Sequence, residues 1–161
     1  MREMLFRGQH RKFGQKVRMG DGKPLPSVWA FGEVMQGPGD YSIIYGTAIQ
    51  DPSDSTIIGG IREKGSTTEK WVVYTETLGQ YVGFPDKSGK KIFEGDIVRV
   101  KTQHQFFAYA VVVWYTTYAR WCFSPKKDIY YPLDDECDVE VIGNIFDNPE
   151  LMQKFSVGSE F

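Results

Sequence analysis

The sequence predicts a mainly β protein. Short antiparallel strands are expected to bend into a small closed or nearly closed barrel in the C-terminal half, preceded by an N-terminal β region and followed by a short helix. Three observations predict this. Short apolar alternations recur from end to end and are punctuated by Gly, Pro, Asp and Ser clusters, the pattern of many short strands. Aromatics supply 15% and hydrophobic residues 41% of the 161 positions, which is enough to fill one sizeable core and excludes a disordered chain. The longest apolar run, Phe106 to Tyr115, has the length of one long strand and falls well short of the ~18 residues a membrane-crossing helix needs.

In chain order, strands are expected at Glu3 to Arg7, Lys16 to Met19, Val28 to Val34, Tyr41 to Tyr45, Thr56 to Ile61 and Lys70 to Tyr74. In Val28–Val34 a period of two places Trp29 and Phe31 on one face, where a half-buried strand hides its aromatics. Gly20-Asp21-Gly22-Lys23-Pro24, Gly37-Pro38-Gly39-Asp40 and Asp51-Pro52-Ser53-Asp54 have the composition of turns. Thr75 to Gly79 can form a single helical turn with Thr75 capping and Gly79 ending it. Gln80 to Phe84 follows as a strand, and Pro85 to Lys90 is a hairpin-like reversal. Beyond Gly95 and Asp96, the alternation in Ile97-Val98-Arg99-Val100 directs Val98 and Val100 to the core and Arg99 to water. Tyr109 to Trp114, Arg120 to Phe123 and Val139 to Ile145 complete the barrel strands. Asp147 to Phe155 is written as a helix start, with Asn148 capping, Pro149 at the first helical position and Glu150 complementing the dipole. Leu151 and Phe155, four apart, are placed to clamp that helix onto the barrel. The expected division is therefore 1–72, an N-terminal β region; 73–147, the barrel; and 148–161, the helix and tail.

Charge and thiols narrow the function. Nineteen Lys and Arg against 21 Asp and Glu give a net charge of −2, without the basic surplus of a dedicated duplex-binding domain. The balance is uneven, because residues 1–27 hold 7 basic against 2 acidic side chains. The acidic cluster Asp134, Asp135, Glu136, Asp138 and Glu140 precedes and enters the final strand, where charge discourages sheet-to-sheet pairing, and it lacks the ligand pattern of a calcium loop. Cys122 and Cys137 form no CxxC, and free thiols, with Trp121-Cys122-Phe123 a packed strand, are expected. His10 and His104 have no metal-ligand spacing, and nothing in the sequence orients a dyad of His104 with a cysteine. No dinucleotide, P-loop or nucleophile-elbow motif occurs, so no cofactor, metal or catalytic residue is assigned. The charged N-terminus, Met1-Arg2-Glu3-Met4-Leu5-Phe6-Arg7, is unlike a secretory signal, and a cytoplasmic location is expected.

Three blocks carry a resemblance. They are the opening Met1 to Arg7; the central Thr77-Leu78-Gly79-Gln80-Tyr81-Val82-Gly83-Phe84-Pro85-Asp86-Lys87-Ser88-Gly89-Lys90-Lys91-Ile92-Phe93-Glu94-Gly95-Asp96-Ile97-Val98; and the ending Val141-Ile142-Gly143-Asn144-Ile145-Phe146-Asp147-Asn148-Pro149-Glu150-Leu151. Together they resemble the YopX family of phage and prophage proteins. The departures are small: Phe84-Pro85-Asp86 stands where Leu-Lys-Asp is usual, and Gly8 follows Phe6-Arg7 where Ala-Trp is usual. The resemblance implies an SH3-like small barrel in the C-terminal half with an N-terminal β region packed on it and a short C-terminal helix, a mobile-element origin in a bacterial host cell, and self-association. It implies no catalytic residues. The motif glycines Gly83, Gly89, Gly95 and Gly143 are read as turn or bulge positions, and Tyr81 and Phe93 as barrel core. Asp86, Glu94 and Asp96 are read as acceptors for backbone amides at turns rather than as paired catalytic carboxylates.

The expected function is accordingly that of a non-enzymatic phage or prophage accessory protein, a homo-oligomeric binding or scaffolding module for an unidentified protein of phage or host, with no membrane partner. Trp114, Tyr115, Tyr118 and Trp121, close in sequence at a hairpin tip, are the candidate partner or subunit contacts. The alternative is a nucleic-acid-binding small barrel, with Arg2, Arg7, Arg11, Lys12, Lys16 and Arg18 as phosphate contacts and Tyr115 or Tyr118 as a stacking face. A second alternative is an enzyme of unrecognised type.

Overall fold

The computed structural model describes residues 4–10, 20–21, 28–37, 39–51, 54–57, 61–62, 69–151 and 153. It is mainly β, and the chain divides into two compact units, Met1–Gln80 and Tyr81–Phe161.

In the first unit the strands are β1 (Phe6–Gln9), β2 (Trp29–Gln36), β3 (Tyr41–Asp51), β4 (Asp54–Ile57), β5 (Ile61–Arg62) and β6 (Glu69–Tyr74). They form an antiparallel sheet in the order β5-β6-β3-β2-β1, with β4 also on β3; β7 (Gly79–Pro85) begins beside β1 through Gly79 and Gln80. The expected strands at 28–34, 41–45 and 70–74 are present, and the second is longer than its alternation suggested. The strand expected at Lys16 to Met19 lies outside the described residues.

The core of this unit differs from the alternation read in β2. Val28 and Ala30, rather than Trp29 and Phe31, face the main cluster with Ile44, Trp71 and Val73. Trp29 is buried on the opposite face, where the Arg7 guanidinium lies 5.0 Å from its ring centroid, and Phe31 is only half-buried. Gly32 and Gly46 face each other across β2 and β3, so closely that a Cβ on Gly32 would lie 2.0 Å from the Tyr45 carbonyl oxygen.

The helical turn expected after β6 is a 3-10 turn at Thr75–Thr77. Its stabilisation differs from the expected cap. The Thr75 hydroxyl meets Ser42 Oγ at 2.9 Å, Thr77 Oγ1 donates to the Tyr74 carbonyl and accepts from Gln9 N–H, and Gly79 starts β7 instead of closing the turn.

The second unit contains the rest of β7, then β8 (Lys91–Phe93), β9 (Asp96–Lys101), β10 (Phe106–Tyr115), β11 (Arg120–Lys126), β12 (Ile129–Pro132) and β13 (Asp138–Asn144). The last five form an antiparallel sheet in the order β12-β11-β10-β9-β13, while β7 and β8 form a hairpin. Among the described residues this pairing is not a closed barrel, because β12 and β13 remain at opposite ends of the order. The tip of the β7–β8 hairpin nevertheless reaches β13: Lys87 N–H donates to the Val139 carbonyl and Val141 N–H donates to Asp86 Oδ2. One face of the sheet packs Val98, Val100, Ala110, Val112, Trp121, Phe123 and Val139 together with Val82 and Ile92. Ile97 is buried as well, so β9 is exposed only at Arg99 and Lys101.

Glycines of the central and closing blocks mark irregular backbone. Gly95, in the turn between β8 and β9, has φ +83°, a conformation a Cβ would strain, and its N–H and C=O bond Val112 and Ile145. Gly83 and Gly143 lie where strand register shifts, and Gly89 lies in the hairpin turn. A Cβ on Gly143 would sit 2.4 Å from Asn148 Oδ1. The Asn148 side chain turns back to accept Asn144 N–H rather than capping the helical turn that opens at Pro149. Phe155, the second half of the expected clamp, lies outside the described residues.

Candidate functional site

Two acids of the central block, Asp86 and Asp96, serve the backbone. Asp86, only 6% exposed, accepts Ser88 N–H and Oγ–H and Lys90 N–H through Oδ1 and Val141 N–H through Oδ2, at 2.7 to 3.0 Å. Burial opposes its charge, but hydrogen bonds from Val141, Ser88 and Lys90 outweigh it and hold the carboxyl below its ordinary value. Asp96 Oδ2 accepts Phe93 N–H at 2.8 Å across the next turn. The two carboxylates therefore hold separate reversals, with Asp86 docking a turn onto β13 and Asp96 closing the entry to β9. Tyr81 and Phe93 are buried together with ring centroids 5.7 Å apart.

The acidic cluster occupies the approach to β13 and β13 itself. Lys87 lies 3.6 Å from Asp138 and 4.0 Å from Glu140, and Arg99 lies 3.6 Å from Glu140. Among the described residues no group of three His, Cys, Asp or Glu side chains could hold a metal ion. Both cysteines are free thiols. Burial raises the pKa of each; Cys122 is fully buried, whereas Cys137 is partly exposed and lies 3.3 Å from Asp134 Oδ1. His10 packs edge-on against Trp71, and His104 sits in the exposed loop between β9 and β10.

Of the basic residues proposed as phosphate contacts, Arg7 is buried against Trp29 and is not presented to a phosphate. Arg2, Arg11, Lys12, Lys16 and Arg18 lie outside the described residues.

The four aromatics of the β10–β11 hairpin are divided between the faces of the sheet. Trp114 and Trp121 are opposite one another in register and meet edge-to-face at 5.0 Å; Trp121 is buried, while Trp114 is 41% exposed. Tyr115, one residue on, points to the other face, as strand alternation requires. There it stacks on Tyr130 of β12 at 4.5 Å with 16° between ring planes, and Tyr118, 72% exposed, stands edge-on to it at 5.4 Å. These rings border an open cleft of about 400 Å³, completed by Arg120, Cys122 and Pro132. Register explains the grouping: Tyr115 is paired with Arg120 and Cys122 with Pro132, so three adjacent strands contribute to one patch. Sequence reasoning selected Tyr115 and Tyr118 but missed Arg120, Cys122, Tyr130 and Pro132. The available signal was the alternation in Ile129-Tyr130-Tyr131-Pro132, which divides its two tyrosines between the faces.

β12 carries the exposed apolar surface further. All four of its residues are exposed, and it pairs only with β11 among the described residues. Tyr131 stacks on Phe123 and approaches Phe107 at 4.9 Å on the core-side face, while Ile129 and Tyr130 remain open. Among the described residues no helix is long and apolar enough to cross a membrane.

Comparison with known proteins gives one match: a family model described as YopX protein covers residues 40–153. No curated protein and no solved structure matches.

Proposed function

The chain belongs to the YopX family, and from that premise we propose that it is a non-enzymatic accessory protein of a phage or prophage, a binding and scaffolding module that works in the host cytoplasm and self-associates. The observation that carries this reading is the β12 edge. A strand at the end of a sheet offers unpaired backbone groups to another chain, and this one adds Ile129, Tyr130 and Tyr131 as exposed apolar side chains, with Trp114 and Tyr118 exposed on the neighbouring hairpin. The engagement of Asp86 and Asp96 in turns supports the non-enzymatic part. The docking of the β7–β8 tip on β13 supports an SH3-like arrangement of the second unit.

Size-exclusion chromatography with light scattering tests it. The full chain at high micromolar concentration is expected above monomer mass, and Ile129→Lys, which adds charge at an exposed edge position, is expected to shift it toward monomer. A clean monomer of the unaltered chain would refute self-association. Assembly unaffected by Ile129→Lys would remove the edge from it.

A further inference from the structure

The cleft beside β12 combines two features that together specify a ligand chemistry. Its walls are flat tyrosine rings: Tyr115 and Tyr130 in a parallel stack, and Tyr118 edge-on and largely exposed, so that its ring can meet an incoming planar group. Its only charged lining residue is Arg120, which is exposed and makes no ion pair among the described residues. A volume of about 400 Å³ falls within the range of small-molecule sites.

We infer that this cleft binds a nucleotide unit, with a base stacked on the tyrosine wall and its phosphate held by Arg120. An acidic peptide would use the cation but leave the π faces idle. A neutral apolar ligand would use the rings but leave a guanidinium without a counter-charge. A base with an adjacent phosphate uses both, and stacking tolerates any base because each has a π face. The inference rests on the reading of the β12 side as a binding surface and adds what that surface takes. The unit comes either from a free mononucleotide or from a single strand.

The test is fluorescence anisotropy of a short labelled oligothymidine titrated with the full chain at low salt, with competition by thymidine monophosphate and by inorganic phosphate. Saturable binding is expected. Tyr118→Ala, at a largely exposed position, is expected to weaken it roughly tenfold by loss of one stacking face. Arg120→Gln is expected to weaken it several-fold and flatten its dependence on salt. Competition by the mononucleotide identifies the free nucleotide as sufficient; strand binding without it identifies the single strand. Three results would each overturn the inference: no binding of either nucleotide probe at high micromolar protein, affinity unchanged in both variants, or displacement by phosphate as effective as by mononucleotide. Light scattering on Ile129→Lys in parallel separates the cases, since nucleotide binding can fail while edge-dependent assembly persists.

Discussion

Removing the Asp86 carboxylate tests whether the acids of the family motif serve the fold. In Asp86→Ala, four hydrogen bonds are lost, from Ser88 N–H, Ser88 Oγ–H, Lys90 N–H and Val141 N–H. Ser88 and Lys90 are exposed, so water can replace the carboxylate there, and each of those bonds contributes about 0.5 kcal/mol. The Val141 amide is partly buried at a register shift of β13, and loss of its charged acceptor costs about 2 kcal/mol. The sum is about 3.5 kcal/mol. Asp86→Asn keeps the Oδ1 bonds but sets an amide donor against Val141 N–H, for about 2 kcal/mol. Urea unfolding gives the global loss, and residue-resolved hydrogen exchange gives the local one, where the Val141 amide should lose roughly thirtyfold in protection, the equivalent of about 2 kcal/mol.

The same residue gives a pH dependence of known sign. Its folded-state pKa lies below the ordinary value of 3.8, so its stabilisation is fully present above that value and is lost as pH falls through the folded-state pKa. The stability gap between the unaltered chain and Asp86→Asn should therefore narrow below about pH 4. Unchanged Val141 protection in Asp86→Ala, or a gap that stays constant on acidification, would refute the reasoning.

Gly32→Ala places a methyl 2.0 Å from the Tyr45 carbonyl oxygen and should force β2 and β3 apart, lowering thermal stability by upwards of about 2 kcal/mol; a melting temperature matching the parent would contradict the close approach. Asn144→Ala removes the acceptor of Phe146 and Asp147 N–H and the donor to the Asp147 carboxylate, for a loss of about 2 kcal/mol in urea unfolding; a loss under about 0.5 kcal/mol would make that network incidental. Burial raises the pKa of both thiols, so alkylation at mildly alkaline pH should be slow, with partly exposed Cys137 modified ahead of buried Cys122; mass spectrometry showing Cys122 reacting like a free thiol would contradict its burial.

Much of the β architecture is legible because alternation and turn composition are local. Val98, Val100 and Arg99 lie as their period predicts, and the reversal after Pro85 is where its turn residues put it. What was hidden depends on pairing. Ile97 is buried on the face opposite Val98 and Val100, so this end of β9 is covered on both faces, a condition alternation within one strand does not report. The extension of β3 past Tyr45 passes through Gly46, which reads as a breaker and is instead required by Gly32 on the facing strand. The candidate cleft was half visible. Tyr115 and Tyr118 stood out as aromatics, but grouping them with Trp114 and Trp121 ignored the period of two. Arg120 and Tyr130 joined them only once β10, β11 and β12 were in register.

The two rims of the five-stranded sheet are chemically unlike, and that asymmetry limits growth. At β13, the Val139 carbonyl and the Val141 amide are already taken by the turn at Asp86 and Lys87, and Asp138 and Glu140 add negative charge. At β12 the rim is open among the described residues. Were two molecules to join rim to rim at β12, they would use up the one edge of their five-stranded sheets that is unguarded among the described residues, leaving guarded flanks at β13 on both sides. Pairing through that sheet would then close at a dyad rather than propagate along it.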